Sequence, residues 1–165
     1  MIELIHTKPC LVFGCGNPLF GDDGFGPEVI ADLEQNHCLP PYAACLDVGT
    51  SIRDFLFDIL LAPEKPKQMI IVDAAQSEGK RPGDVFEIDI DEMNPKKTSD
   101  FSLHQFPTTN MLKELITATD MDIRVLVGQI ETIPDEVSPG LSPVMIQAVS
   151  RASRRILEMI AKEAA

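Results

Sequence analysis

Cys10-Leu11-Val12-Phe13-Gly14-Cys15-Gly16-Asn17-Pro18-Leu19-Phe20-Gly21-Asp22-Asp23-Gly24-Phe25-Gly26-Pro27 opens on an apolar run of strand length and breaks into a loop dense in glycine and acid. A continuous apolar run of this length, bounded by glycine, reads as a strand buried on both faces, as in a parallel sheet. Similar runs recur at Tyr42 to Val48, Met69 to Asp73 and Ile123 to Val127. Helical periods lie between them. Ile52, Phe55, Leu56, Ile59 and Leu60 fall at i, i+3, i+4, i+7 and i+8 and stripe one face, and Ser51 with Asp54 three residues on offers a capped start. Shorter helices are expected at Glu28 to Asn36 and Pro107 to Thr117. A last helix follows Ser142 as cap and Pro143 as first residue, with Met145, Val149, Ala152, Ile156 and Ile160 on its apolar face. Arg151, Arg154 and Arg155 on its other side read as a solvated basic face, favoured by the helix dipole.

One segment departs from this rhythm. Ser77 to Asp84 reads as a turn, and Val85 to Ile90 sets Val85, Glu87 and Asp89 against Phe86, Ile88 and Ile90, the alternation of an edge strand open to antiparallel pairing. Asp91 to Asp100 reads as a polar surface loop too short to separate domains. Strands alternating with helices predict an α/β fold: one three-layer domain over residues 1–165, with a mostly parallel, twisted five-stranded sheet and helices on both faces.

At 165 residues, 44% hydrophobic and 24% charged, the chain has the composition of one compact domain. A formal charge of -12 opposes nucleic acid and anionic membrane surfaces unless a local basic patch intervenes. No stretch approaches the ~20 apolar residues of a membrane span, and the amino terminus lacks the basic-then-apolar pattern of a signal, so a cytoplasmic protein is expected. Cys10, Cys15, Cys38 and Cys45 are scattered, with no Cys-x-x-Cys pair, and read as reduced thiols.

The glycine loop first suggests a dinucleotide site, with Asp47 near the end of the second strand imitating the ribose-binding acid. The third glycine of that fingerprint is replaced by Leu19, and Asp22 and Asp23 set two negative charges where a pyrophosphate would need room. A cation suits the loop better. Ligands of an open parallel sheet sit outside the carboxyl ends of its strands, where Met69-Ile70-Ile71-Val72-Asp73 also delivers an aspartate. His104, in Phe101-Ser102-Leu103-His104-Gln105, is the best-placed imidazole, whereas His6 and His37 read as surface residues. Asp23, Asp73 and His104 together would form a borderline-to-hard site able to accept nickel, zinc, iron or manganese. Nucleophilic templates fit poorly. Gly49-Thr50-Ser51-Ile52-Arg53 lacks the last glycine of a nucleophile elbow, and acidic neighbours raise the pKa of Cys15 where an active thiolate needs it lowered.

Gly14-x-Gly16-Asn17-x-Leu19-x-Gly21-Asp22-Asp23-Gly24-x-Gly26-Pro27 closely resembles the opening motif of the hydrogenase maturation proteases. Asp47-Val48-Gly49-Thr50 resembles that family's Asp-Gly-Gly-Thr, Val72-Asp73-Ala74 its third-strand aspartate, Ser102-Leu103-His104-Gln105 its Ser-Pro-His-Gln, and Gly140-Leu141-Ser142 its Gly-Leu-Ser or Gly-Leu-Thr. The resemblance runs from about residue 10 to the end and is greatest to the branch serving the deazaflavin-reducing hydrogenases of methanogens. It implies an endopeptidase that removes a carboxyl-terminal extension from the large-subunit precursor of a nickel-iron hydrogenase after nickel insertion. The nickel would belong to the precursor and act as the recognition element, with no organic cofactor in the enzyme.

Position by position, the resemblance implies Asp23, Asp73 and His104 as nickel contacts, the same three residues that the strand ends suggest. It assigns no nucleophile. Asp22 is a candidate for orienting water or for capping the following helix, and Gly49 and Thr50 are candidate substrate contacts. Two departures touch geometry: Val48 stands for a glycine and Leu103 for a proline. A non-enzymatic nickel-binding accessory protein using the same ligands is the rival reading, and a dinucleotide-dependent oxidoreductase the third.

Overall fold

The computed structural model describes residues 2–92 and 106–164. The chain runs α1 (Ile2–Thr7), β1 (Cys10–Cys15), a 3-10 turn (Gly21–Gly24), α2 (Phe25–Asn36), β2 (Ala43–Gly49), α3 (Ile52–Leu61), β3 (Gln68–Ala75) and β4 (Val85–Ile88). A second 3-10 turn (Ile90–Glu92), α4 (Phe106–Ala118), β5 (Asp122–Gln129) and α5 (Pro143–Ala164) complete it. The five strands form one sheet in the order β2-β1-β3-β5-β4. All pairings are parallel except β4 with β5, where Val85 faces Gly128 and Ile88 faces Val125 in antiparallel register.

Apolar continuity and burial agree in the central strands. Every residue of β1 and β3 is buried, as the unbroken apolar runs require. β2 closes one edge, with Asp47 exposed and Cys45 half-buried, and β4 closes the other. Val29, Ile30 and Leu33 of α2 and Met145, Ala152 and Ile156 of α5 cover one face of the sheet. Ile52, Leu56 and Ile59 of α3 and Leu112 and Leu115 of α4 cover the other. The chain leaves β1 for β2 on one side and returns to β3 on the other, so the topological switch point lies between the carboxyl ends of β1 and β3.

Several local expectations change. The helix expected from Glu28 begins at Phe25, because Pro27 falls in the first turn, where its missing N–H costs nothing. The strand expected through Ile90 stops at Ile88, where Asp89 Oδ1 accepts the Asp91 N–H at 2.9 Å and bends the chain into the 3-10 turn. Ser51 occupies the N-cap of α3, but its hydroxyl makes no capping bond, and the Asp54 N–H instead donates to the Ser51 carbonyl at 3.0 Å. Helix α1 is too short for its apolar spacing to register as a period, and buried Ile5 anchors it. None of the four cysteines is in a disulfide among the described residues, in keeping with their spacing.

Leu56, fully buried where α3 meets the sheet, tests this packing. Leu56→Ala should cost about 2–5 kcal/mol in denaturant unfolding, and a loss under about 1 kcal/mol would contradict a close-packed α3.

Candidate active site

The glycine loop leaves β1 at the switch point and closes on itself. The Asn17 N–H donates to the carbonyl of Asp23 at 3.1 Å and to Asp23 Oδ2 at 3.0 Å, while Asn17 Oδ1 accepts the Leu19 N–H at 3.0 Å. Gly16 has φ of 134°, and a Cβ there would lie 1.9 Å from the Asp23 carbonyl oxygen, so no side chain fits. At Gly26 a Cβ would lie 2.2 Å from the Cys15 carbonyl and 2.6 Å from that of Val72, because α2 packs directly on β1 and β3. The glycines thus serve close backbone approach, which brings a carboxylate to the sheet's rim instead of making room for a pyrophosphate.

Asp22 and Asp23 are adjacent yet face different tasks. Asp22 Oδ1 accepts the Ser142 N–H at 2.7 Å, and its Oδ2 accepts the Glu131 N–H at 2.9 Å, the Thr132 N–H at 3.3 Å and the Ser142 hydroxyl at 2.9 Å. The expected cap on the following helix is therefore corrected: α2 receives no side-chain cap, and Asp22 ties the glycine loop to the segment leading into α5. Its oxygens bond to that segment, an anchoring arrangement. Ser142 precedes α5 as expected, but its hydroxyl donates to Asp22, so the cap is also a tether.

Asp73 stands at the carboxyl end of central β3, facing Val127 of β5 and lying just past the Gly14–Val72 pair. It is 0% exposed. Its Oδ1 accepts the Ala74 N–H at 2.8 Å, while Oδ2 is buried with no hydrogen-bond partner among the described residues. Burial pushes its pKa well above the usual carboxylate range; the Ala74 amide opposes the shift, and the nearby charge of Asp23 adds to it. Asp23 itself is 8% exposed. A buried carboxylate with a second carboxylate as neighbour carries a free-energy cost that an opposite charge would offset.

Cys15 is buried beside these acids, and burial first, then Asp73, Asp47 and Asp23, raise its pKa well above that of a free thiol, so it is no thiolate nucleophile. The Gly49 carbonyl accepts the Gly16 N–H at 2.9 Å, and Asp47 Oδ1 accepts the Gly49 N–H at 2.9 Å, placing Gly49 on the same rim with exposed Thr50 beside it. Val48 is accommodated as an ordinary buried strand residue; among the described residues no non-glycine has positive φ. His104 lies outside the described residues. Among the described residues, no group of three or more His, Cys, Asp and Glu is arranged to hold a metal ion.

The sequence reading missed the Asn17 amide that holds Asp23 and the Asp22–Ser142 tether. The first is a main-chain N–H bond that no side-chain identity signals, whereas the tether joins residues 120 positions apart and left only the Gly140-Leu141-Ser142 motif as a signal.

Residues 27–159 match the model of the family described as hydrogenase maturation protease. The chain belongs to that family. It is 39% identical over 162 residues, covering 96% of this chain and 100% of the relative, to a protein of Methanocaldococcus jannaschii whose name places it in the same protease family. It is 37% identical to the coenzyme F420 hydrogenase subunit delta of Methanothermobacter thermautotrophicus, over 94% of this chain and 96% of the relative. The solved hydrogenase-maturating endopeptidase HybD from Escherichia coli superposes with a TM-score of 0.75 at 26% identity, covering 93% of each chain. As a hydrogenase maturation protease the chain is a hydrolase acting on a peptide bond.

The contrast between the two adjacent acids is testable by stability. Asp22→Asn should cost about 1.5–3 kcal/mol, since an amide cannot accept all four bonds. Unchanged denaturant midpoints would contradict the tether.

Asp73 makes an opposite prediction. The unfolded chain releases this proton near pH ~3.9. The folded protein therefore bears a penalty that is absent below that pH and grows as pH rises toward the elevated folded value. Asp73→Asn should melt at higher temperature than wild type at pH 7, with the difference shrinking toward pH 4. A difference independent of pH would contradict the assigned burial cost.

Proposed function

We propose that this protease removes the carboxyl-terminal extension of a nickel-iron hydrogenase large-subunit precursor, and that nickel already seated in the precursor is what it recognises. The observation that carries the reading is the buried, unpartnered Oδ2 of Asp73 beside Asp23, at the switch point of a parallel sheet. A buried carboxylate of this kind with a second one beside it favours a cation brought by the substrate, and His104 of Ser102-Leu103-His104-Gln105 is proposed as the third contact. The relative named as an F420 hydrogenase subunit and the methanogen source of two relatives support a deazaflavin-reducing hydrogenase as the one served. The proposed setting is the cytoplasm; among the described residues no helix is long and apolar enough to cross a membrane.

In this reading the metal is part of the substrate. Asp23 and Asp73 grip it, and its fixed distance from the scissile bond positions that bond at the rim near Gly49 and Thr50. A metal so held can polarise the scissile carbonyl or a water as a Lewis acid, which removes the need for a nucleophile from the chain. An empty precursor offers the carboxylates no counter-charge and is not held, so nickel insertion becomes a precondition of cutting.

Nickel-loaded and nickel-free precursor, mixed separately with the protease and followed by mass, test this directly. Only the loaded form should lose its extension, and Asp23→Asn and His104→Ala should each abolish release while remaining folded. Equal cleavage of both precursors would overturn nickel recognition.

A further inference from the structure

Away from the acidic switch point, an open groove of about 830 Å³ is lined by Lys80, Arg81, Asp84, Val85, Phe86, Glu87, Arg151 and Arg155. Four cations against two carboxylates leave it with an excess of two positive charges, on a chain whose formal charge is -12. Both carboxylates are already engaged. Glu87 accepts from Arg124 Nε at 2.7 Å and Nη2 at 2.9 Å, and from Arg155 Nη2 at 3.1 Å, which together lower its pKa, the Arg124 bonds most. Asp84 Oδ2 accepts the Arg81 N–H at 2.9 Å. Arg151 donates to the Gly83 carbonyl at 2.6 Å, and the Lys80 ammonium sits 4.5 Å above the Phe86 ring. The arginines read from the sequence as a solvated face are thus, at 151 and 155, fastened to the β4 edge.

The groove shares the catalytic rim. β4 runs antiparallel, so its first residue, Val85, lies at the carboxyl end of β5, and the turn that carries Lys80 and Arg81 is the connection leaving β3 a few residues beyond Asp73. The Gly83 N–H donates to the Gln129 carbonyl and the Ser77 N–H to Gln129 Oε1, both at 2.9 Å, which holds that turn against the rim. β4 is the last strand of the sheet and its outer edge has no strand partner among the described residues. Such an edge accepts an extended chain through backbone hydrogen bonds.

We propose that this groove docks an extended, acidic segment of the hydrogenase large-subunit precursor. The inference rests on the protease reading for the identity of the partner. Charge complementarity selects the occupant's sign, and the free strand edge selects its conformation. A long phosphate backbone is disfavoured because its charge, about one per 1.7 Å of duplex, would run from the groove onto the strongly acidic remainder of the surface. A short acidic segment meets only the local positive excess and leaves the scissile region free to reach Asp23 and Asp73.

Lys80→Glu with Arg81→Glu in the full-length protein tests the groove, since the Arg81 side chain is 91% exposed and neither residue belongs to the nickel site. Binding of purified nickel-loaded precursor and release of its extension are measured in parallel at low and high salt. The variant should melt as wild type does, bind about tenfold more weakly at low salt, show KM raised with kcat unchanged, and converge with wild type as salt rises. Equal affinity and KM in both proteins would overturn the proposal. So would a wild type that binds heparin or duplex DNA as tightly as the precursor, through the same two residues. A wild type that binds precursor in a Lys80- and Arg81-dependent way but never releases the extension would support the groove and overturn the protease reading.

Discussion

Asp73 Oδ2 is a carboxylate oxygen in the interior with no hydrogen-bond partner among the described residues, and the geometry of the rim is best understood from that cost. Burying an unpaired charge is among the most expensive acts in folding, so burial drives the group to hold its proton. The fold supplies the stability that tolerates it. β3 is central, buried along its whole length, and flanked by β1 and β5. Placing the acid on the rigid middle strand fixes its position far more closely than a loop could.

The glycine loop brings the second acid to the first. Its closure depends on Gly16, where any side chain would strike the Asp23 carbonyl, and on the Asn17 amide that holds Asp23 Oδ2. Asp22 then locks the loop to the approach of α5 through four hydrogen bonds. Two neighbouring aspartates are thereby separated by their partners: one is tied to the segment before α5, the other is held within the glycine loop, near enough for its charge to act on Asp73. The Asp-Asp dipeptide thus sets a lock beside an acid at the sheet's rim.

Much of this was legible in the sequence. β1 ends where its apolar run meets Gly16, the edge placement of β4 follows from the alternation of Val85 and Glu87 against Phe86 and Ile88, and Pro143 opens α5. Chain topology also brought Asp23 and Asp73 to the same rim without any coordinate. Pairings remote in sequence could not be read this way. The Asp22 bonds to Glu131 and Ser142 span 109 and 120 positions, and no periodicity reports a partner so distant. The basic groove was hidden for the same reason, because Lys80 and Arg81 meet Arg151 and Arg155 only once β4 packs beside α5. His104 lies outside the described residues, and its proposed role as third contact rests on its motif.

A crystal structure of the protein with a soaked divalent ion such as nickel or zinc tests the central claim most directly. The expected result is one ion bridging the carboxylates of Asp23 and Asp73, with oxygen distances of about 2.0–2.2 Å and the imidazole of His104 completing the shell. An ion bound elsewhere with both carboxylates unliganded, or a His104 imidazole on the opposite side of the sheet, would contradict it.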